Sequence, residues 1–149
     1  MSDAIVEVND LVKRYPPDIK AVDGISFSIQ KGRVFSLLGP NGAGKTTTVE
    51  ILEGLRCPTS GRVRVFGMDV IKDYSPIRKR VGVLPQNFEP FDLLSPYEAV
   101  RYWGDEFGLS LGKKEINEML EMVGLSERRT SMSKKLSGGE KRKLGIALS

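Results

Sequence analysis

The stretch Val34–Thr46 reads VFSLLGPNGAGKT, an apolar run that leads into a glycine-rich turn. Its second part, Gly39–Thr46, fits the pattern GxxxxGK followed by Ser or Thr at every fixed position. The apolar part, Val34–Leu38, predicts a β-strand buried on both faces. After the turn, Lys45–Leu55 carries apolar residues at helical spacing. A strand, a glycine loop and a helix in this order predict a phosphate-binding loop.

Each part of this loop has a role in holding phosphate. Its glycines let the backbone turn so that successive N–H groups point at one anion, and the helix adds its N-terminal dipole. Lys45 is expected to reach the β- and γ-phosphates, Thr46 to ligate Mg²⁺ and Thr47 to donate toward the α-phosphate. The expected contacts are Gly39, Pro40, Asn41, Gly42, Ala43, Gly44, Lys45, Thr46 and Thr47. A dinucleotide-binding loop fits poorly because Thr47 stands where the third glycine belongs.

Composition limits the chemistry. The 149 residues include 23 Lys and Arg, 19 Asp and Glu, a single cysteine and no histidine, for a net charge of +4. These counts exclude an internal disulfide, a cysteine metal cluster and histidine-based catalysis within the chain. The sequence has neither a secretory signal pattern nor an apolar run of about 18 residues, so we expect a chain that is not secreted and does not itself span a membrane.

The rest of the chain predicts a β-rich part followed by a helical part. Residues 5–8, 25–29, 62–66 and 81–84 have the pattern of short strands. From Ser95 onward the pattern is helical, with a capping box at Ser95–Glu98 and then an inner stripe, and a further helix follows around residues 116–123. The stripe consists of Tyr97, Val100, Trp103 and Phe107. We therefore divide the chain into residues 1–90 and 91–149.

A second candidate anion site opens the last segment. Ser137 and Glu140 form a capping box that predicts a helix start, and Gly138 and Gly139 leave its first turn almost bare backbone. The cations of Lys141–Lys143 lie near the positive end of this helix dipole, where a bound anion would relieve an unfavourable arrangement. The alternative is a glycine-rich helix start with a solvated basic face.

These two motifs together resemble the ATP-binding cassette (ABC) family, over the whole chain. Gly39–Thr46 is similar to its Walker A motif and Leu136–Glu140 to its LSGG signature. Gln86 matches the Q-loop glutamine, which in the family contacts Mg²⁺ and the attacking water, and Tyr15 matches the aromatic residue that stacks on adenine. The wording of Gly39–Thr48 is more similar to ATPases of ABC-2 type drug, lipid or ion exporters than to importers.

The resemblance implies an α/β fold: a P-loop NTPase core with an antiparallel β-subdomain and a helical signature subdomain. It implies ATP and Mg²⁺ as ligands, with Lys45 and Gln86 as catalytic residues and Thr46 and Gln86 as metal contacts. The implied partners are a transmembrane permease subunit and a second ATP-binding subunit in a head-to-tail dimer, with no nucleic acid. The implied location is cytoplasmic, on the inner face of the cell membrane. The alternatives are a non-hydrolysing nucleotide-binding or regulatory fragment and a soluble, non-transport ABC protein.

By the same resemblance the chain is incomplete. The family continues with the Walker B strand, a catalytic glutamate and a switch histidine, and none of them occurs in these 149 residues. The nearest substitute, Val65–Asp69, is interrupted by glycine. We therefore expect ATP binding with very weak hydrolysis. We also expect an exposed apolar edge at Val34–Leu38 that makes the chain marginally stable or self-associating.

Overall fold

The structure is a computed structural model that describes residues 4–149. Their contacts divide the chain into two compact units, one that extends to Val81 and one over Gly82–Ser149. The division into domains at residue 90 stays a prediction. Among the residues described, no helix has the length and apolar character needed to cross a bilayer.

The first unit contains an antiparallel sheet of four strands in the order β2-β1-β3-β4. Its strands are β1 (Ala4–Tyr15), β2 (Ile19–Gln30), β3 (Ser60–Val65) and β4 (Met68–Asp69). In the register of the sheet, Val8 of β1 lies opposite Phe27 of β2 and Val63 of β3. Strand β1 therefore has neighbours on both sides, as a central strand requires.

Alternation in the sequence places the apolar face of this sheet. In β3, Val63 and Val65 are buried while Arg62 and Arg64 are exposed, because successive side chains of a strand point to opposite faces. Helices α1 (Lys45–Leu52) and α2 (Tyr74–Arg78) complete the unit. The buried core consists of Val8, Leu11, Val22, Ile51, Val63, Val65, Val70 and Ile77.

The predictions of strands at Val34–Leu38 and at residues 81–84 are wrong, since neither segment is a strand. Val34 is 99% exposed and Leu38 is 88% exposed. A strand is stabilised by hydrogen bonds to a neighbouring strand, and no strand of the described chain pairs with either segment. An apolar run indicates that a segment is suited to a buried strand, but a strand forms only where a neighbouring strand is present to pair with it.

Helix α1 ends at Leu52, three residues before the predicted end at Leu55. Gly54 has φ of 73°, which turns the chain out of the helix. A Cβ at Gly54 would lie 2.4 Å from a ring carbon of Tyr74, so this turn also packs closely against α2.

The second unit is helical, with α3 (Pro96–Glu106), α4 (Lys113–Met122) and α5 (Gly138–Leu148). The predicted capping box of α3 is confirmed: Glu98 N–H donates to Ser95 Oγ and Ser95 N–H donates to Glu98 Oε2. The buried core consists of Ala99, Val100, Ile116, Leu120, Leu125, Leu136 and Leu144. The predicted inner stripe is wrong at Phe107, which is 66% exposed because α3 ends one residue before it.

The cap of α3 leads to a stability prediction. Replacing Ser95 with alanine removes the acceptor for the Glu98 N–H, so we expect Ser95→Ala to lower the free energy of unfolding by about 1 kcal/mol in urea titration at neutral pH. Ser110→Ala, at an exposed serine outside any cap, is the control and should behave as wild type. Equal stability of Ser95→Ala and wild type would contradict the role of this cap.

The stability difference between wild type and Ser95→Ala is expected to depend on pH. Hydrogen bonds from the Ser95 backbone and side chain lower the pKa of Glu98 below its usual range. A carboxylate with a lowered pKa in the folded state stabilises the protein above its unfolded pKa, and this stabilisation is lost as pH falls through the folded pKa. The stability difference between wild type and Ser95→Ala should therefore shrink under acidic conditions.

The exposed apolar segment Val34–Leu38 leads to a second prediction. We expect the chain to form larger species as its concentration rises, measured by light scattering, because exposed apolar surface associates in water. The double variant Val34→Ser/Leu38→Ser should scatter as a monomer. Leu93→Ser/Met122→Ser is a matched control, since these two side chains of the second unit are 72% and 83% exposed. A wild-type chain that stays monomeric at every concentration would contradict this prediction.

Candidate phosphate-binding site

The predicted phosphate-binding loop is shaped by two glycines with positive φ and by close packing on the sheet. Gly42 has φ of 82° and Gly44 has φ of 80°, in the left-handed region that favours glycine. A Cβ at Gly44 would lie 2.1 Å from the backbone oxygen of Ala21 in β2. Only glycine therefore satisfies this position, both for its backbone conformation and for the space available.

Lys45 lies across the start of the loop. Its Nζ donates to the Gly39 oxygen at 2.8 Å and to the Pro40 oxygen at 2.7 Å. Because an ammonium group has three donors, one remains for another acceptor. The loop carbonyl oxygens thus hold the lysine that is expected to bind phosphate together with this loop.

Thr48 is a supporting residue to which the sequence analysis gave no role. Its hydroxyl donates to the Gly44 oxygen at 2.9 Å, and the residue is only 1% exposed. It holds the first turn of α1 to the last glycine of the loop. The signal was present in the sequence, since Thr48 ends the run of three threonines that follows Lys45.

The backbone of the loop offers free donors. Within residues 4–149, the N–H groups of Gly44–Thr47 donate to no acceptor, and they open α1. The first N–H groups of a helix have no partner inside it, and together with its dipole they attract an anion. The loop therefore fits a phosphate group.

The same loop offers one hydroxyl for a cation. Thr46 is exposed at the beginning of α1. The residues described contain no group of three or more His, Cys, Asp or Glu side chains that could hold a metal ion. Mg²⁺ binds through a few protein oxygens together with phosphates and water, so Thr46 fits a Mg²⁺ that arrives with a nucleotide.

Tyr15, the predicted adenine contact, lies at the end of β1 beside two cations. Lys13 Nζ is 5.1 Å from the centroid of its ring, and the guanidinium carbon of Arg56 is 5.7 Å from it. A hydrogen bond to Glu50 raises the pKa of the Arg56 guanidinium, a group that is protonated at physiological pH in any case. The sequence analysis missed Arg56 and Glu50, since nothing in their spacing points to Tyr15.

Gln86 has an exposed side chain, and its backbone is bound to α5. Arg142 Nη1 donates to the Pro85 oxygen at 2.7 Å and to the Gln86 oxygen at 3.3 Å. Nearby, Lys141 donates to Glu89 at 2.7 Å. The segment that contains Gln86 is thus fixed to the helix that begins with the LSGG motif.

The LSGG segment has the predicted cap. Ser137 Oγ accepts from the Glu140 N–H, and Glu140 accepts from the Ser137 N–H at 2.8 Å. These bonds, with a smaller effect from Arg128, lower the pKa of Glu140. A Cβ at Gly138 or Gly139 would meet nothing within 4 Å, so the backbone of this turn is open.

Two of the three cations at the start of α5 need no bound anion to balance their charge. Lys141 is paired with Glu89, and Arg142 is bonded to two carbonyl oxygens. Protein groups of the same unit therefore already satisfy Lys141 and Arg142, and these partners, 52 to 57 residues away in sequence, could not be predicted from the pattern at the start of the helix. What remains for this site is the open first turn of the helix.

The structure brings the predicted residues together in three groups. The residues of Gly39–Thr47 form one continuous loop and helix start, and Tyr15 lies beside Lys13 and Arg56, all in the first unit. Gln86 and Ser137–Glu140 belong to the second unit, where α5 joins their segments.

Comparison with known proteins places this chain in a family. A family profile described as ABC transporter matches residues 22–149. The linearmycin resistance ATP-binding protein LnrL of Bacillus subtilis (strain 168) is 42% identical over 127 residues, which are 84% of this chain and 41% of LnrL. The phospholipid-transporting ATPase ABCA3 of Rattus norvegicus is 41% identical over 133 residues, 88% of this chain and 8% of ABCA3. The matched region thus spans less than half the length of either relative.

Among solved structures, cbiO1 from Clostridium perfringens, described as part of the ABC transporter complex cbiONQ, superposes with a TM-score of 0.84 at 28% identity. The superposition covers 99% of this chain and 61% of cbiO1. The predicted α/β fold class with a P-loop NTPase core is therefore confirmed. From the profile match over residues 22–149 and the agreement of fold, we conclude that this chain belongs to the ABC transporter family of ATP-binding proteins.

Proposed function

We propose that the chain is the ATP-binding part of an ABC transporter and binds MgATP at Gly39–Thr47. The observation that carries this proposal is the row of free N–H groups at Gly44–Thr47, at the start of a helix and beside the ammonium group of Lys45. Backbone donors and a cation at one point form a site for a polyphosphate. In the complete protein, ATP hydrolysis at this site drives transport across a membrane.

The residues of the loop have distinct roles in this proposal. The N–H groups of Gly44–Thr47 bind phosphate oxygens, and Lys45 exchanges its bonds to two loop carbonyls for bonds to the β- and γ-phosphates. Thr46 holds Mg²⁺, which supplies positive charge to the phosphate oxygens when it is bound. Tyr15 stacks on adenine, as its cation-flanked ring at the end of β1 permits.

Catalysis in this proposal involves Lys45 and Gln86. Lys45 would stabilise charge on the transferred phosphate, and Gln86 is the residue that would contact Mg²⁺ and the attacking water, as the resemblance to the family implies. The 149 residues in hand contain no histidine and no apolar run that ends in Asp-Glu. Members of this family are generally ATPases, but for this chain alone we expect binding with very weak hydrolysis, because these residues lack the family's catalytic glutamate that orients water.

The proposed partners are a second ATP-binding subunit and a transmembrane permease. In the dimer, Ser137–Glu140 of one subunit contacts the ATP held by Gly39–Thr47 of the other, and the open first turn of α5 supports this role. The proposed location is the cytoplasmic face of the cell membrane, with no nucleic-acid partner. The exporter subtype stays a prediction.

The phosphate-binding loop is tested by removing its cation. We expect Lys45→Ala to weaken ATP binding at least about tenfold in calorimetric titration with Mg²⁺, because a charge-assisted contact to phosphate is lost. Lys31→Ala removes the same charge at an exposed turn and should bind ATP as wild type does. ATP binding that survives Lys45→Ala unchanged would overturn the proposed site.

The head-to-tail dimer is tested by cross-linking. Cysteines replace Asn41 and Ser137 in separate copies of the chain, and the exposed native Cys57 is changed to serine in both. We expect ATP to increase the yield of the disulfide-linked heterodimer, because the nucleotide joins the two motifs. A pair with cysteines at Ser110 and Asn41 is the matched control. A yield independent of ATP, or equal to that of the control, would contradict this arrangement.

A further inference from the structure

The ring of Tyr15 is contacted from two different parts of the chain. Lys13 precedes it by two residues on β1, whereas Arg56 follows α1. Their charged groups lie 5.1 Å and 5.7 Å from the ring centroid, within the distance at which a cation is attracted to an aromatic face. The ring is therefore a junction between the end of the strand and the segment after the helix.

Arg56 is itself held in place. Its guanidinium forms an ion pair with the Glu50 carboxylate in which Nε and Nη2 both donate. The backbone adds two further bonds, since the N–H groups of Leu55 and Arg56 donate to the Glu50 oxygen at 2.9 Å and 3.2 Å. Two planar groups joined at two points have little rotational freedom, so the position of Arg56 is set by α1.

The second cation is fixed to the same segment. Lys13 Nζ donates to the Cys57 oxygen at 2.9 Å, one residue after Arg56. Lys13 thus ties β1 to the residues that follow α1, and both cations contact the ring of Tyr15. A tyrosine with only solvent around it would instead rotate among several side-chain orientations.

From these contacts we infer that Arg56, held by Glu50, is a positioning residue that orients the Tyr15 ring for stacking on the nucleotide base. The inference rests on the proposed function, since it requires that a nucleotide binds at Gly39–Thr47. Arg56 acts through Tyr15 and contacts no phosphate. A ring already held in one orientation loses less conformational entropy when the base binds, so affinity for the base rises.

Helix α1 connects this arrangement to the phosphate-binding loop. It begins at Lys45, which serves the phosphate end of the site, and it carries Glu50, which holds Arg56 at the base end. One rigid element therefore fixes both the phosphate loop and the support of the aromatic ring. The distance between the groups that bind the triphosphate and the ring that stacks on the base is thereby set by a single helix.

The test separates the base from the phosphates. Calorimetric titrations of the whole chain with Mg²⁺ compare ATP with inorganic tripolyphosphate, which has no base. We expect Arg56→Ala to weaken ATP binding about two- to fivefold and to leave tripolyphosphate binding unchanged, as loss of an exposed cation–aromatic contact predicts. Glu50→Ala, which leaves Arg56 unheld, should change ATP affinity in the same direction.

Arg14→Ala is the matched control. Arg14 forms an ion pair with Asp18 at 3.0 Å, so this variant also removes one cation and one ion pair, but none of the contacts to the Tyr15 ring. It should bind ATP and tripolyphosphate as wild type does. Circular dichroism of each variant verifies that the fold is retained, and Glu50→Ala provides an independent result if Arg56→Ala fails to fold.

A double-variant cycle decides whether Arg56 acts through the ring. In the Tyr15→Ala background, Arg56→Ala should cause no further loss of ATP affinity. Equal losses in both backgrounds, a parallel loss of tripolyphosphate binding, or tighter ATP binding by Arg56→Ala would each overturn the inference. The first would show that Arg56 acts independently of the ring, the second would indicate a direct phosphate contact, and the third would mean that Arg56 competes with the base.

Failure of the inference is distinguishable from failure of the proposed function. If ATP binding depends on Lys45 but not on Arg56, the phosphate site stands and the positioning role is wrong. If wild type binds neither ATP nor tripolyphosphate, the proposed function is wrong and the positioning role is overturned with it.

Discussion

The backbone contact between Gly44 and Ala21 is the constraint on which the candidate site depends. A Cβ at Gly44 would lie 2.1 Å from the Ala21 oxygen, so the loop lies too close to strand β2 for any side chain at this position. Helix α1 begins directly after this contact. The contact therefore fixes where the free N–H groups point and where the helix carries the residues that follow them. A flexible loop at this position would hold no such orientation.

Helix α1 and helix α5 organise their own units in similar ways. Each starts at a glycine-rich turn, and each carries charged side chains that hold another segment of the chain in place. In the first unit Glu50 binds Arg56, and in the second Arg142 and Lys141 bind the segment that contains Gln86. From the sequence pattern alone, such charged side chains would be expected to face solvent. In the structure they instead hold the segments that contain the candidate site residues.

Much of the fold and of the candidate site could be predicted from local patterns. The loop Gly39–Lys45, the alternation of β3 and the capping boxes at Ser95 and Ser137 each depend on residues a few positions apart, and such short-range chemistry is readable without a structure. The strand at Val34–Leu38 and the burial of Phe107 were wrong because they depend on a neighbour. A local pattern indicates which secondary structure or burial a segment favours, but a neighbouring segment must be present for the segment to adopt it.

The sequence by itself determined the phosphate loop, the two capped helices and membership of the ABC family, because fixed residue types at fixed spacing carry all of these. Only the tertiary structure decided which groups surround Tyr15, how Lys141 and Arg142 are satisfied, and that Gly44 lies against β2. The physical reason is the separation in sequence between the residues that interact. A turn or a cap is formed by neighbouring residues, whereas a side-chain hydrogen bond joins residues up to 57 positions apart, and folding alone brings those together.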